Sequence, residues 1–371
     1  MPSPTVAVNT DIFIVILSAA AGAAISSVLA CLPGLHVYNL LGLMVIGLHA
    51  LTVRGVPVSA ESLIPFTVGM VVGYSMLNTI PSVLLAAPDE SALFTVLPGQ
   101  KYLMIGRGYE AVLITSAGGL IGLFLLVLTL GMFGPRALPA AKAVFQPHSH
   151  WILWCVIAFM LLSEWPKGGR FGQGGWAKFL DAWRSTGAGL LTFLLAGFLG
   201  FILLYRSPIP VESAFQNLMP AFTGLFTIPW LLINIVSRVE IPEQQPGLSG
   251  RLDKNTLAKG VLAGCMGGGF AAFFPGVTGG VGGLLAGHAT AVRDDRVFLI
   301  SQGTSKLVYY VGALLLLFVP GLGTTRGGAA WMMKGLYVPH SSRDYFMALA
   351  AAALAGAVSF LLVGPLARGT I

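Results

Sequence analysis

Lys306 stands inside an apolar run, and Ser301, Gln302, Thr304 and Ser305 precede it within about two helical turns. An ammonium with hydroxyls and an amide around it suits an anion, either a carboxylate or a phosphate. Roughly nine residues of helix, about 14 Å, separate Lys306 from the start of its run. That is close to the midplane of a hydrocarbon core about 30 Å thick. A charge at that depth costs at least about 2.5 kcal/mol unless it is paired or wetted. Asp294 and Asp295 stand too near the start of the run to serve. The expected partner is a residue of the other half of the chain, such as Glu90, or the anionic substrate itself.

Two Pro-Gly steps carry the second chemical signal. Residues 260–290 are apolar but hold eleven glycines, with Pro275-Gly276 in the middle. Proline and glycine weaken a helix interior, so two helical pieces with a break at 274–278 are expected. A fainter copy surrounds Pro33-Gly34, followed by His36 where Thr278 follows the later break. A helix that starts inside a membrane presents backbone N–H groups and the positive end of its dipole, which together favour an anion. Such broken helices in matching positions of two halves point to a transporter site. Pro275, Gly276, Val277, Thr278, Gly279 and Gly280 are therefore read as one wall of a site and Pro33, Gly34, His36 and Asn39 as the other. Gly282, Gly283 and Gly287 are read as helix-packing residues.

Other candidates divide between two readings. His36 either titrates or binds a carboxylate, or else satisfies backbone groups at the break. Asn39 and Asn78 are intramembrane amides that either bind ligand or join helices. Pro88, Asp89, Glu90 and Ser91, with Pro320 and Gly321 in the later half, form loops that either line the pocket, hold a coupling cation or lie in solvent. His148 and His150 lack the acidic or cysteine partners of a metal site.

These residues need a membrane scaffold to hold them. The 371 residues are 56% hydrophobic and 9% charged, with mean hydropathy +0.83, whereas soluble domains carry about 25% charged residues. The expected class is an all-α integral membrane protein, since its apolar runs are long and continuous. The net charge of +7 fits basic cytoplasmic loops and not nucleic acid. Cys31, Cys155 and Cys265 lie in apolar runs and read as buried thiols. No signal peptide is expected. Eleven candidate segments (12–32, 37–51, 63–87, 111–133, 151–164, 187–204, 218–236, 257–274, 277–291, 297–319 and 346–366) give 9–11 crossings, depending on whether the broken pairs are re-entrant hairpins. Thirteen Lys and Arg fall on one side and seven on the other, with Lys306 between. The positive-inside bias places the N-terminus outside and the C-terminus inside. Trp151, Trp154, Trp165, Trp176 and Trp183 read as an interface belt.

The halves extend into a repeat. Each break leads to a long helix, then an irregular stretch (86–108 and 319–342), then a helix with an acidic start at Glu110 or Asp344. Seven segments separate the two starts, so the repeats are expected to be inverted. The chain divides into a first repeat (1–133), a middle region (134–256) and a second repeat (257–371).

Several motifs resemble the large-permease (TctA-like) family of tripartite tricarboxylate transporters. They are the Pro-Gly break, Ala87-Pro88-Asp89-Glu90-Ser91, Ile105-Gly106-Arg107-Gly108-Tyr109-Glu110-Ala111, and the VPGLGTTRGGAAWMMKGL stretch. The chain is shorter than most such permeases, and Pro33-Gly34-Leu35-His36 is similar to a shorter branch with a P-G-L-H break. Residues 134–240 match nothing named. The resemblance implies a secondary transporter in a prokaryotic cytoplasmic membrane, with a small membrane subunit and an extracytoplasmic binding protein as partners. Alternating access on a small organic anion, most simply a carboxylate, is the expected mechanism, with H+ or Na+ open as coupling ion. No cofactor, metal or enzymatic constellation is expected. Pro275-Gly276-Val277-Thr278-Gly279-Gly280 also looks like the P-G-V-S-G-G signature of a polyprenyl-phosphate translocase. That leaves a lipid-phosphate carrier as an alternative, and a non-transporting membrane subunit as a third.

Overall fold

The computed structural model describes residues 4–55, 59–87, 91, 93–165, 174–206, 220–221, 223–237, 240–250, 252–289 and 294–371. They form fourteen α-helices with short 3₁₀ and π turns, and no strand occurs among the described residues. In chain order these are α1 Pro4–Leu29, α2 Val37–Val53, α3 Ala60–Leu77, α4 Thr79–Leu84, α5 Val96–Met104, α6 Gly108–Phe145, α7 Ser149–Ser163, α8 Gly175–Tyr205, α9 Ile228–Ser237, α10 Lys254–Phe273, α11 Gly279–Ala289, α12 Asp295–Leu315, α13 Gly327–Leu336 and α14 Ser342–Gly369. Six helical stretches among the described residues are long and apolar enough to cross a membrane. The protein is an all-α, multi-pass membrane protein.

The chain forms two compact units, residues 140–218 and the remainder. In the smaller unit, α8 buries Ala182 and otherwise shows an apolar surface, as suits a helix in lipid. Trp165, Phe179 and Trp183 form edge-to-face contacts there, and Trp176 stacks on Phe179 with centroids 5.5 Å apart.

In the larger unit small residues decide which helices meet. α1 packs along α3 because a Cβ on Gly22 would lie 2.2 Å from the Phe66 carbonyl oxygen, and one on Gly69 would lie 2.4 Å from that of Ala19. α10 packs along α12 in the same way. A Cβ on Gly264 would meet Thr304 at 2.4 Å, and one on Gly268 the Ser305 carbonyl at 2.6 Å. In lipid there is little hydrophobic drive between helices, so such close backbone approach supplies the attraction. The last helix of each half then packs on the opposite half. α14 lies against α1 and α3, while α6 meets α12 where a Cβ on Gly303 would strike the Thr115 carbonyl at 2.0 Å.

Four elements differ from what the sequence leads one to expect. The stretches 86–108 and 319–342, expected to be irregular, contain α5 and α13. The glycines of GGAAWMMKGL hide that second helix, because glycine carries no helical propensity of its own. α6 runs on to Phe145 through Pro135 and Pro139, beyond the expected end at 133. α8 starts at Gly175, well before the expected 187.

Candidate functional site

The two Pro-Gly steps adopt the same local geometry. Gly34 has φ 92° and Gly276 φ 81°, a left-handed conformation that glycine adopts without the Cβ clash. The chain turns there and a new helix starts three residues later in both. At the first break His36 is the residue before α2, and its Nδ1 accepts the Tyr38 N–H at 3.2 Å. The ring thus caps the half-helix as an Asn or Asp side chain would. At the second, Thr278 precedes α11, and its Oγ1 lies 3.5 Å from the Val281 N–H. Some of the helix-start donors expected to face an anion are therefore already engaged by side chains of the chain itself. α11 has 11 residues, a rise of about 16 Å, or half the hydrocarbon core.

α12 connects the two breaks. Gln302, Lys306 and Tyr310 lie one turn apart along it. The Tyr310 hydroxyl is 3.2 Å from His36 Nε2. Lys306 is 2% exposed, and its Nζ donates to Thr79 Oγ1 over 3.0 Å. Its Cα backs onto Gly279, where a Cβ would come within 3.1 Å. The Gln302 amide faces Gly283, where a Cβ would come within 2.8 Å of Nε2. So the first break meets α12 at Tyr310 and the second meets it one turn earlier, about 6 Å away.

Thr79 is where it is because α3 and α4 part at Asn78. Pro81 lacks the N–H that would reach the Leu77 carbonyl. Asn78 Nδ2 donates to the Tyr74 hydroxyl at 3.3 Å, and Ser82 Oγ donates back to Asn78 Oδ1 at 3.2 Å. Tyr74 and Tyr310 meet edge to face at 6.1 Å. A buried line of contacts thus runs from His36 through Tyr310 and the Tyr74 ring to Asn78, and its chain neighbour Thr79 holds Lys306.

On α2 and α12 several buried polar atoms have no hydrogen-bond partner among the described residues: both amide atoms of Asn39 and of Gln302, and the hydroxyls of Ser301 and Thr304. A buried unpaired polar group costs about 1–3 kcal/mol, so these groups call for water or a ligand. Ser305 behaves differently, since its hydroxyl donates to the Gly279 carbonyl at 2.6 Å and ties α12 to the start of α11.

Arg326, the arginine of the VPGLGTTRGGAAWMMKGL stretch, has a specific task in the structure. Its guanidinium donates to the carbonyls of Ala271 (3.0 Å), Phe274 and Val277 (3.2 Å). These carbonyls stand at the end of α10 and across the second break, where a helix leaves acceptors unpaired. Two residues on, the Gly328 N–H donates to the Tyr38 hydroxyl at 3.2 Å. The segment 326–328 therefore touches both breaks.

The remaining candidates fall elsewhere. Pro275 and Gly276 are exposed and Val277 and Gly280 buried, at the turn itself. Pro33 and Gly34 are partly exposed. Pro320 and Gly321 make the turn that leaves α12, with Gly321 at φ 75°. Ser91 is buried. Pro88, Asp89 and Glu90, including the partner expected for Lys306, lie outside the described residues. Thr79, Tyr74, Tyr310 and Arg326 carry contacts that the sequence reading did not assign to the site.

A family profile described as the tripartite tricarboxylate transporter TctA family matches residues 16–370. The chain belongs to this family. It is thus a component of a tricarboxylate transporter class, as the Pro-Gly and Glu110 motifs lead one to expect. An uncharacterised protein of Methanocaldococcus jannaschii is 28% identical over 307 residues, covering 80% of this chain and 67% of that protein. No solved structure matches the chain.

Proposed function

We infer that the protein is the permease that carries a small organic anion, most simply a carboxylate, by alternating access of one repeat against the other. The observation that carries this reading is Lys306. It is a buried ammonium held by Thr79 of the first half, within one helical turn of both Pro-Gly breaks. One turn before it on α12, the buried amide of Gln302 has no partner among the described residues, which suits a hydrated carboxylate. The exchange of last helices between the halves, with α14 on α1 and α3 and α6 on α12, supports two repeats of residues 1–133 and 257–371. A cytoplasmic-membrane location in a prokaryote, an outside N-terminus, a small membrane subunit and an extracytoplasmic binding protein complete the proposal. Uptake of labelled citrate by proteoliposomes of the purified chain, with and without an ion gradient, tests it. Failure to take up any di- or tricarboxylate, with or without the partner subunits, would remove the carboxylate reading.

A further inference from the structure

A cleft of about 480 Å³ opens where α4, α5 and α9 meet, lined chiefly by apolar side chains such as Leu84, Leu103, Met104, Leu231 and Ile235. Ala86 lines it too, at φ 49°. A left-handed alanine is uncommon, and strained residues of this kind gather at ligand clamps. A second cleft of about 540 Å³ shares Leu84, Leu85, Leu103 and Ile241 with the first. It continues past Glu243 and Gln244 to Arg368, in the last turn of α14. The wall at 241–246 is fixed to the turn between α5 and α6. The Gln245 N–H donates to the Gly106 carbonyl at 2.8 Å. The Gln244 side chain accepts from the Gly108 N–H at 2.8 Å and donates to the Leu103 carbonyl at 3.0 Å.

Two residues with charged side chains, Glu243 and Arg368, line the second cleft, and they are opposite in sign. Neither makes an ion pair among the described residues. Arg368 lies over the Tyr109 ring, with Cζ 5.6 Å from the centroid, and its N–H groups stay available to a phosphate. The 28 residues of α14 rise about 42 Å. A bilayer with its headgroups is about 40–45 Å thick, so the last turn of α14 stands at headgroup level. We propose that the double cleft holds one diacyl phospholipid whose headgroup carries a primary ammonium. An acyl chain lies along Leu84, Leu103, Met104 and Leu231, the phosphate meets Arg368 and the ammonium meets Glu243. The guanidinium fork matches phosphate oxygens, and the carboxylate accepts an N–H that a quaternary headgroup lacks. A purely anionic headgroup would meet Glu243 as a like charge. No residue of either cleft belongs to the candidate anion site, so the inference stands apart from the carboxylate reading.

The test offers the full-length protein in detergent equal amounts of dioleoyl phosphatidylethanolamine, phosphatidylglycerol and phosphatidylcholine, and counts retained lipid by native mass spectrometry. Wild type is expected to retain the ethanolamine lipid about tenfold over the other two, the effect of one hydrogen bond between charged groups. The wall is fastened through Gln244 and Gln245, so Glu243→Ala leaves it in place and should bring the ethanolamine lipid level with the choline lipid. Arg368→Met should lower retention of all three about tenfold. Thermal unfolding without added lipid checks that the variants fold, and Glu243→Ala decides by itself where Arg368→Met does not. Equal retention of the three by wild type, retention of none, preference for the glycerol lipid, or an unchanged preference in Glu243→Ala overturns the proposal. Glycerophosphoethanolamine, the same headgroup without acyl chains, should fail to displace the lipid at equal concentration. Displacement by it overturns the part given to the apolar cleft.

Discussion

Lys306 Nζ donates to Thr79 Oγ1 over 3.0 Å, so a cation of the second half rests on a hydroxyl of the first. A hydrogen bond with a charged donor is stronger than a neutral one, so this contact fixes where the ammonium stands. Lys306→Met is expected to abolish anion binding while the folded protein still reaches the membrane. Lys306→Arg should rescue only in part, since the fork of a guanidinium does not fit the place of a point charge. Thr79→Val should weaken binding about tenfold by loss of one hydrogen bond to a charged group. Normal transport by folded Lys306→Met protein would remove Lys306 from the site.

Much of this arrangement is legible in the chain. Pro33-Gly34 and Pro275-Gly276 break helices for local reasons, so the breaks appear in the sequence. The depth of Lys306 follows from counting residues. What it touches does not, because the meeting of α12 with Thr79 depends on packing of distant helices. Tyr74 and Tyr310 read as ordinary apolar bulk until the fold sets them against His36. Arg326 reads as a loop charge, and only the turn at Gly327, with φ 75°, brings it back over the break.

The contact between Gly267 and Gly282 holds the second hairpin closed. A Cβ on Gly267 would lie 2.3 Å from the Gly282 carbonyl oxygen, and one on Gly282 would lie 2.2 Å from that of Gly267. Both clashes are with backbone, which cannot turn aside as a side chain can. Gly267→Ala or Gly282→Ala is expected to destabilise the protein by about 1–3 kcal/mol, the usual cost of overpacking. Gly269, on the same helix, has open space around its Cβ position and should accept alanine. Thermal unfolding in detergent compares the three. Equal stability would mean that the hairpin arms do not pack this closely.

Arg326 is expected to matter for backbone order more than for charge. Its Nη2 shares two N–H groups among the carbonyls of Ala271, Phe274 and Val277, and a hydrogen bond to a charged donor contributes about 1.5–3 kcal/mol. Arg326→Met should raise hydrogen exchange in the last turn of α10. Arg326→Lys should restore only part of the protection, because the lysine chain ends about one bond short of the Nη2 that meets all three carbonyls. An exchange pattern in Arg326→Met identical to wild type would show that the guanidinium is not what secures the break.

The starts of α6 and α12 are joined by a carboxylate between two guanidinium groups. Glu110 is 2% exposed, with Arg107 at 2.7 Å and Arg296 at 2.9 Å. The Ser249 N–H adds a hydrogen bond at 3.3 Å. At the start of α14, Arg343 meets Glu61 of α3 at 3.5 Å, so the other pair of swapped helices is joined by an ion pair with the charges exchanged. Breaking a fully buried pair costs about 3–5 kcal/mol. The guanidinium groups here are 27% and 29% exposed, which lowers the expected loss for Glu110→Gln to about 1–3 kcal/mol. Lys101 and Asp295 form a nearby pair at 3.1 Å but are 67% and 46% exposed, so Asp295→Asn should change stability by less than about 1 kcal/mol. A double-mutant cycle on Glu110 and Arg296, read by thermal unfolding, isolates the pair from the solvation of each residue. A coupling below about 0.5 kcal/mol, within the error of additivity, would mean that this link between the two halves is incidental. A larger coupling would make it a fastening that any movement of α6 against α12 has to break.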